Sequence, residues 1–181
     1  MRELSLYILD IAQNSLAAGA CEIKISVVED TNNDRLTIKI ADNGSGMTQT
    51  QKRQAADPFY TTRTTRKVGL GIPLLRMAAE QTGGRVEIIS KPGKGTTLTA
   101  EFVRSHIDCL PLGDVVSTLM VLIRTRPDVD IYYKRVLDSR SYVVDTRKFK
   151  EILGDVPLNN PDVSVWVESY LREHEIQLAG H

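Results

Sequence analysis

The sequence predicts an α/β fold: a two-layer sandwich in which helices cover a mixed, largely antiparallel sheet, followed by a small α+β domain. Segments with helical periodicity are interleaved with pairs of strands whose apolar residues fall at every second position. Short polar turns join the paired strands, which is typical of hairpins rather than of parallel βαβ units. The length of 181 residues suits one medium domain with a small appendage.

Residues 1–105 read as helix, hairpin, loop, helix and hairpin. Leu4, Ile8 and Ile11 repeat at helical spacing, and Gly19 is a natural end for this first helix. Alternation then predicts a strand over 21–28, a turn at 31–34 and a return strand over 36–40. The further elements are a helix over 49–56, a loop over 57–71, a helix over 72–82, and strands over 85–90 and 96–103.

Residues 106–181 read as a second, smaller unit, which we predict to be a regulatory or docking domain. Its helix over 114–124 carries a dense apolar face, and two short strands flank a turn at 138–140. The prolines and asparagines at 157–161 break the chain before a last helix. The elements predicted here are helices over 114–124, 147–153 and 163–171, and strands over 131–136 and 142–144.

The overall charge is balanced, with 23 basic and 23 acidic side chains, which argues against nucleic acid or an anionic membrane as a partner of the whole surface. Residues 1–105 carry 14 basic and 11 acidic groups, and residues 106–181 carry 9 and 12.

No apolar run approaches the roughly 20 residues needed to cross a bilayer, and no signal peptide is evident. Cys21 and Cys109 lack metal-ligand spacing. We therefore expect a cytoplasmic protein with two buried, reduced thiols.

Two glycine clusters suggest phosphate binding, but neither fits a common template. The spacing of Gly44 and Gly46 puts Gln49 where a dinucleotide-binding fingerprint needs a third glycine, and no P-loop pattern occurs. Asp10 and Asn14 lie four residues apart on one side of the first helix. Basic residues surround the second glycine cluster: Lys52, Arg53, Arg63, Arg66 and Lys67. Together with Asp42 in its glycine turn, this pattern suits a nucleoside triphosphate with a divalent metal.

Four segments in register resemble the boxes of the GHKL superfamily of ATPases, which includes gyrase, heat-shock chaperones, histidine kinases and mismatch-repair ATPases. The segments are DIAQNSLAAGA (10–20), DNGSGM (42–47), DPFYTT (57–62) and VGLGI (68–72), followed by the GKGTT hairpin (93–97). The resemblance covers about residues 1–104 and implies the Bergerat ATP-binding fold. Each box is a weak signal alone, but four in order are highly specific.

The resemblance implies roles for individual residues. Asn14 would coordinate the Mg²⁺ that bridges the phosphates of ATP. Asp42 would accept the adenine amine, and Gly44, Gly46, Met47 and Thr96 would complete the adenine end. The segment 57–71 would be a mobile lid. Within that lid, the implied phosphate contacts are Arg63, Lys67 and the backbone N–H groups of Gly69, Leu70 and Gly71.

Asp10 stands at the position of the family's general base, which is usually a glutamate in the hydrolases. Aspartate is one methylene shorter, about 1.5 Å of reach. Because a misplacement of about 1 Å can cost roughly 100-fold in rate, we expect any hydrolysis to be slow. A solvated helix acid, or a group that only contacts metal and water, stays open as an alternative role for Asp10.

The predicted function is a histidine kinase-like protein that binds Mg-ATP and transfers phosphate to a separate protein partner, as the anti-sigma-factor kinases do. His106 and His174 lack the surroundings of a phosphoacceptor, and both are interpreted as surface histidines. Two alternatives stay open at this point. One is a slow ATPase whose lid closure drives homodimerisation, and the other is a non-catalytic ATP-sensing module.

Overall fold

A computed structural model describes residues 2–57 and 70–180. Within these ranges a single sheet has the strand order β3-β4-β2-β1-β5-β6. The helices are α1 (Leu4–Ala17), α2 (Gln49–Ala56), α3 (Gly71–Gln81), α4 (Val115–Thr125), α5 (Thr146–Leu153) and α6 (Pro161–Ala179). The strands are β1 (Glu22–Asp30), β2 (Arg35–Asp42), β3 (Arg85–Lys91), β4 (Gly95–Val103), β5 (Asp130–Leu137) and β6 (Arg140–Asp145).

The sheet is mixed, and most of its pairs are antiparallel, as the sequence predicts. Four of the five neighbouring pairs are antiparallel, and β1 with β5 is the parallel one. Alternation sends Ile23, Ile25 and Val27 of β1 into the core, while Lys24 and Ser26 lie on the opposite face. The apolar alternation of the sequence therefore marks the side on which helices pack.

The helices form the second layer of the sandwich. α1 packs between α3 and α4, and α6 packs on the other side of α4 and against β6. Buried side chains from residues 4 to 171 form one continuous apolar cluster. This cluster fixes α1 above the middle of the sheet, and α1 carries two of the predicted site residues.

Capping residues set where two of the helices begin. The Thr48 hydroxyl accepts the N–H of Gln51 and the Gln51 side chain returns to the Thr48 N–H, which makes a capping box for α2. Asn160 caps α6 and Pro161 takes its first position. The prediction ended α6 at residue 171, but the helix continues to residue 179, because the buried Leu178 extends the apolar stripe from Leu171 by seven residues.

Residues 106–181 form no separate C-terminal domain in the described structure. The β5–β6 hairpin extends the sheet of the first half, since Ile131 and Tyr133 of β5 pair with Ile23 and Ile25 of β1. The apolar alternation correctly predicts a hairpin of β5 and β6, but alternation contains no information on which other strand the hairpin pairs with. That this half acts in regulation or docking stays a prediction.

The first turn of α1 is anchored by the segment that connects the two halves. The backbone N–H of Leu4 donates to Pro111 O at 2.9 Å, and that of Ser5 donates to Leu112 O at 2.8 Å. The Thr118 hydroxyl of α4 donates to Ser5 O at 3.1 Å. Helix-start N–H groups have no partner within the helix, so this connection satisfies two of them and ties α1 to both halves.

A partly buried ion cluster joins β1, β5 and the end of β4. Arg104 Nε donates to Glu29 Oε2 at 3.0 Å, and Arg135 Nη2 donates to Glu29 Oε1. Burial raises the pKa of Glu29, but the hydrogen bonds and charges of Arg104 and Arg135 together lower it by more. The pKa of Glu29 therefore lies below its ordinary value of 4.5. The ionised form of Glu29 therefore stabilises the fold.

Glu29→Gln is expected to lower the free energy of unfolding at pH 7 by about 1–2 kcal/mol. A carboxyl whose folded pKa is depressed contributes stability above its unfolded pKa, and the contribution is lost as pH falls through the folded pKa. The difference between variant and wild type should therefore shrink below about pH 4.5. Urea unfolding at several pH values measures it, and Glu80→Gln, an exposed acid with no ion pair among the described residues, is the control.

Both cysteines are free thiols, but the expectation that they are buried is wrong, since Cys21 is exposed and Cys109 is half-buried. Within the described residues, no helix combines the length and the apolar character needed to cross a membrane.

Candidate functional site

Asp10 and Asn14 lie on successive turns of α1, and each has one buried polar side-chain atom without a hydrogen-bond partner among the described residues. Asp10 Oδ2 and Asn14 Nδ2 are buried and accept or donate no hydrogen bond within the described residues. Such unsatisfied polar atoms are costly and rare in folded proteins. Rotating the side-chain amide of Asn14 by 180° would place its oxygen where Nδ2 now lies. The pair is therefore suited to a polar ligand.

The N-terminus of α3 lies directly against Asp10. A Cβ at Gly71 would stand 1.8 Å from Asp10 Oδ2, so the approach requires glycine at this position. Burial raises the pKa of Asp10, and the backbone N–H of Gly71 lowers it by a smaller amount, so the pKa is raised overall. A helix N-terminus with free N–H groups favours anions, and here it faces a carboxylate.

Asp42, at the end of β2, is held in place by three donors. Its Oδ1 accepts the N–H of Gly44 at 2.9 Å and the N–H of Thr96 at 3.2 Å. Its Oδ2 accepts the Ser15 hydroxyl at 2.6 Å. Because Ser15 follows Asn14 on α1, this bond connects the carboxylate directly to the helix that carries Asp10 and Asn14.

The loop after Asp42 packs tightly against the hairpin between β3 and β4. Gly46 has a φ of +66°, and a Cβ there would stand 1.9 Å from Lys91 O, so only glycine fits. The N–H of Met47 donates to Ser90 Oγ at 2.8 Å, and Ser90 Oγ lies 2.8 Å from Thr96 Oγ1. The loop and the hairpin therefore form one continuous shelf beside Asp42.

The structure brings together most of the residues that the sequence predicted for the site. They fall into two groups linked by Ser15: Asp10, Asn14 and Gly71 on one side, and Asp42, Gly44, Gly46, Met47 and Thr96 on the other. Leu70 occupies the N-cap position of α3 without a capping side-chain hydrogen bond, and it is exposed. Arg63, Lys67 and Gly69 lie outside the described residues.

Sequence reasoning missed two supporting serines, Ser15 and Ser90. Both are buried polar residues in apolar stripes, Ser15 on α1 and Ser90 on the inward face of β3. A buried serine among apolar neighbours needs a hydrogen-bond partner, and this requirement is the signal that could have found them.

The two predicted surface histidines differ in the structure. His106 is exposed beside Asp108. His174 is half-buried, since its ring lies 4.1 Å from the Tyr170 ring and 5.2 Å from the Tyr142 ring, centre to centre. In the described part of the chain, no three His, Cys, Asp or Glu side chains come together as a metal site.

Comparison with known proteins identifies the family. Residues 2–106 match the model of the histidine kinase-, DNA gyrase B-, and HSP90-like ATPases. Sensor histidine kinase ZraS of Klebsiella oxytoca is 32% identical over 97 residues, which are 53% of this chain and 21% of ZraS. Sensor protein kinase FleS of Pseudomonas aeruginosa is 32% identical over 92 residues, which are 51% of this chain and 23% of FleS. The chain thus spans about a fifth of these relatives.

A solved structure shares the fold over almost the whole chain. The Aquifex aeolicus MutL ATPase domain, determined in complex with ADP, superposes with a TM-score of 0.54 over 96% of this chain and 88% of that chain, at 13% identity. The likeness includes residues beyond 106, in agreement with one sheet shared by both halves. The chain belongs to the family of histidine kinase-, DNA gyrase B- and HSP90-like ATPases.

Proposed function

We propose that this chain binds Mg-ATP and transfers its terminal phosphoryl group to a separate protein partner in signalling or regulation. The observation that carries the proposal is the pair of buried, unpartnered polar atoms, Asp10 Oδ2 and Asn14 Nδ2, beside the N-terminus of α3. The similarity of residues 2–106 to the catalytic region of sensor kinases supports it.

The residues present fit a triphosphate with its metal. Asn14 would hold the Mg²⁺. When the ion is bound, its positive charge would offset the negative charge of the phosphate oxygens. The backbone N–H groups of Gly69, Leu70 and Gly71 would face the phosphates, and Arg63 and Lys67 would add positive charge. The start of α3 supports this assignment, because the first N–H groups of a helix are free to bind an anion.

The adenine end would lie at Asp42. A carboxylate held by three donors is rigid, and it retains lone pairs that can accept an exocyclic amine. Gly44, Gly46, Met47 and Thr96 form the shelf beside it. A rigid acceptor beside close-packed glycines suits a flat base.

Asp10 would act as the base that takes the proton of the acceptor side chain. Its raised pKa makes it a better proton acceptor than an ordinary aspartate. The backbone N–H of Gly71 supports the ionised form of Asp10, and it would turn to a phosphate oxygen when ATP binds. In this arrangement the start of α3 orients Asp10.

Asp42→Asn is expected to weaken ATP binding about 10- to 100-fold without unfolding the protein. The asparagine oxygen can still accept the N–H groups of Gly44 and Thr96, and Ser15 can accept from the new amide. An amide facing the adenine amine would, however, place donor against donor. Isothermal titration measures the loss, and inorganic tripolyphosphate, which has no base, should bind both proteins equally. An equal loss for both ligands would contradict an adenine role for Asp42.

Phosphoryl transfer itself is tested with γ-labelled ATP. The chain is incubated with labelled ATP and fractionated extract of its source cells, with Asn14→Ala and the exposed neighbour Gln13→Ala in parallel. We expect one extract protein to be labelled by the wild type and by Gln13→Ala but not by Asn14→Ala. Phosphate release without labelled protein would replace the proposal with a slow ATPase, and light scattering would then test ATP-dependent dimers.

ATP sensing without turnover is the second candidate function. The observation that favours it is the close approach of Gly71 to Asp10 Oδ2, which limits the room for an acceptor side chain beside the carboxylate. Under this alternative, Asp10→Asn would bind ATP normally and keep cellular function. Loss of cellular function in Asp10→Asn at unchanged ATP affinity would exclude it.

A further inference from the structure

We propose that the groove between α2, α3 and the outer edge of β3 binds an acidic segment of a protein partner in extended conformation. The groove, called here the β3 groove, is lined by Lys52, Arg53, Ala56, Arg76, Val86 and Ile88. Its volume is about 590 Å³, within the range of ligand-binding clefts. Binding of such a segment goes beyond the proposed phosphoryl transfer, because it concerns how a partner docks and not how phosphate is transferred.

The helix side of the β3 groove carries positive charge that is not paired within the described residues. Lys52 and Arg53 on α2 and Arg76 on α3 form no side-chain hydrogen bond or ion pair within the described residues. Two acids, Asp57 and Glu87, also line the groove, so the cations exceed the acids by one. Glu87 lies on the opposite sheet face by alternation, as its neighbours Val86 and Ile88 point to the helices. The helix side of the groove is therefore electropositive and complements an acidic ligand.

The free edge of β3 is the second argument. Within the described residues β3 pairs with β4 and with no other strand, so alternate backbone groups of residues 85–91 point outwards. An extended segment satisfies such an edge by adding a strand, and its side chains then alternate between the two faces.

The floor of the groove is the third argument. Ile88 is buried, and Val86 and Ala56 are half-buried, so the inward face beside the edge is apolar. Paired with β3, a segment of alternating acidic and apolar residues would direct its acidic side chains to the helix side, where their methylene groups cover the edge of this floor and their carboxylates reach Lys52, Arg53 and Arg76 at the rim. Its apolar side chains would then lie on the opposite face, beside the exposed Ile89.

The test uses the whole chain without nucleotide and three fluorescein-labelled nonapeptides. The first alternates Glu and Val, the second alternates Lys and Val, and the third is the first with its central Val replaced by Pro, which blocks strand pairing. Fluorescence anisotropy measures binding. We expect saturable binding of the first peptide, at least about tenfold weaker binding of the other two, and weaker binding as salt rises from about 50 to about 300 mM.

Two charge-reversal variants locate the binding. Lys52→Glu/Arg53→Glu/Arg76→Glu should weaken the first peptide about tenfold or more, and the exposed single change Arg53→Glu should weaken it in the same direction. The control Lys39→Glu/Lys134→Glu/Lys148→Glu removes three exposed lysines elsewhere and should leave binding unchanged. Equal binding of the proline peptide, or equal loss in the control variant, would overturn the proposal. ATP affinity measured in parallel is independent of this outcome, so failure here leaves the proposed function standing.

Discussion

Asn14→Ala should abolish phosphoryl transfer, with a loss of at least about 100-fold, and at the same time stabilise the nucleotide-free protein by up to about 1 kcal/mol. The transfer is lost because the amide is proposed to hold the metal of Mg-ATP. The gain in stability follows from the buried Nδ2, which has no partner among the described residues, and from the higher helix propensity of alanine.

The opposite signs of the two effects make this variant decisive. A residue kept for folding loses stability when it is truncated, whereas a residue kept for a ligand loses function and can gain stability. Chemical denaturation and γ-label transfer on the same preparations measure both quantities. Gln13→Ala, which removes an exposed amide one residue earlier, should change neither by more than a small amount. A destabilised Asn14→Ala protein with normal transfer would refute the assignment.

Gly71→Ala is expected to lower transfer by about 100-fold and to destabilise the protein by about 1–3 kcal/mol. The new Cβ would stand 1.8 Å from Asp10 Oδ2 and 2.8 Å from its Cγ, so either the start of α3 or the Asp10 side chain must move. Both movements displace groups proposed to face the phosphates.

Removing the opposing side chain should restore the fold but not the activity. In Gly71→Ala/Asp10→Ala the collision is absent, so most of the lost free energy of unfolding should return, with a coupling of about 1–3 kcal/mol in the double-mutant cycle. Transfer should stay low, since the base is missing. Met77→Ala, at an exposed position of helix α3, serves as the control. Additive losses in the double variant would show that the two residues do not touch in solution.

Local elements were predictable from the sequence because each has a local cause. The helix over 49–56 agrees with α2 at both ends, where Thr48 and Gln51 form a capping box. The hairpins follow from alternation and polar turns. The prediction for α6 is too short because its second half presents mainly polar residues, and the packing of α6 on α4 and β6 is non-local.

Non-local pairing is what the sequence could not supply. Period-two alternation fixes which face of β5 is buried but contains no information on its neighbour, so the parallel pairing with β1 was missed. The same limit applies to the site. Asp10, Asn14 and Asp42 stood out by residue type and spacing. The position of Ser15 in an apolar stripe signals that it needs a partner, but that the partner is Asp42, 27 residues away, is a non-local fact.

The pairing of β1 with β5 also sets an order of events during synthesis on the ribosome. Domains generally fold as units once their residues have emerged. The first turn of α1 cannot complete its hydrogen bonds before residues 111 and 112 are available, because Leu4 and Ser5 donate to them. The second edge of β1 stays unpaired until β5 is available, because Glu22–Glu29 pair with β5. Helix α1 can therefore take its final place only after residue 137 has left the exit tunnel. Until then, the nascent first half presents an open strand edge that chaperones would be expected to cover.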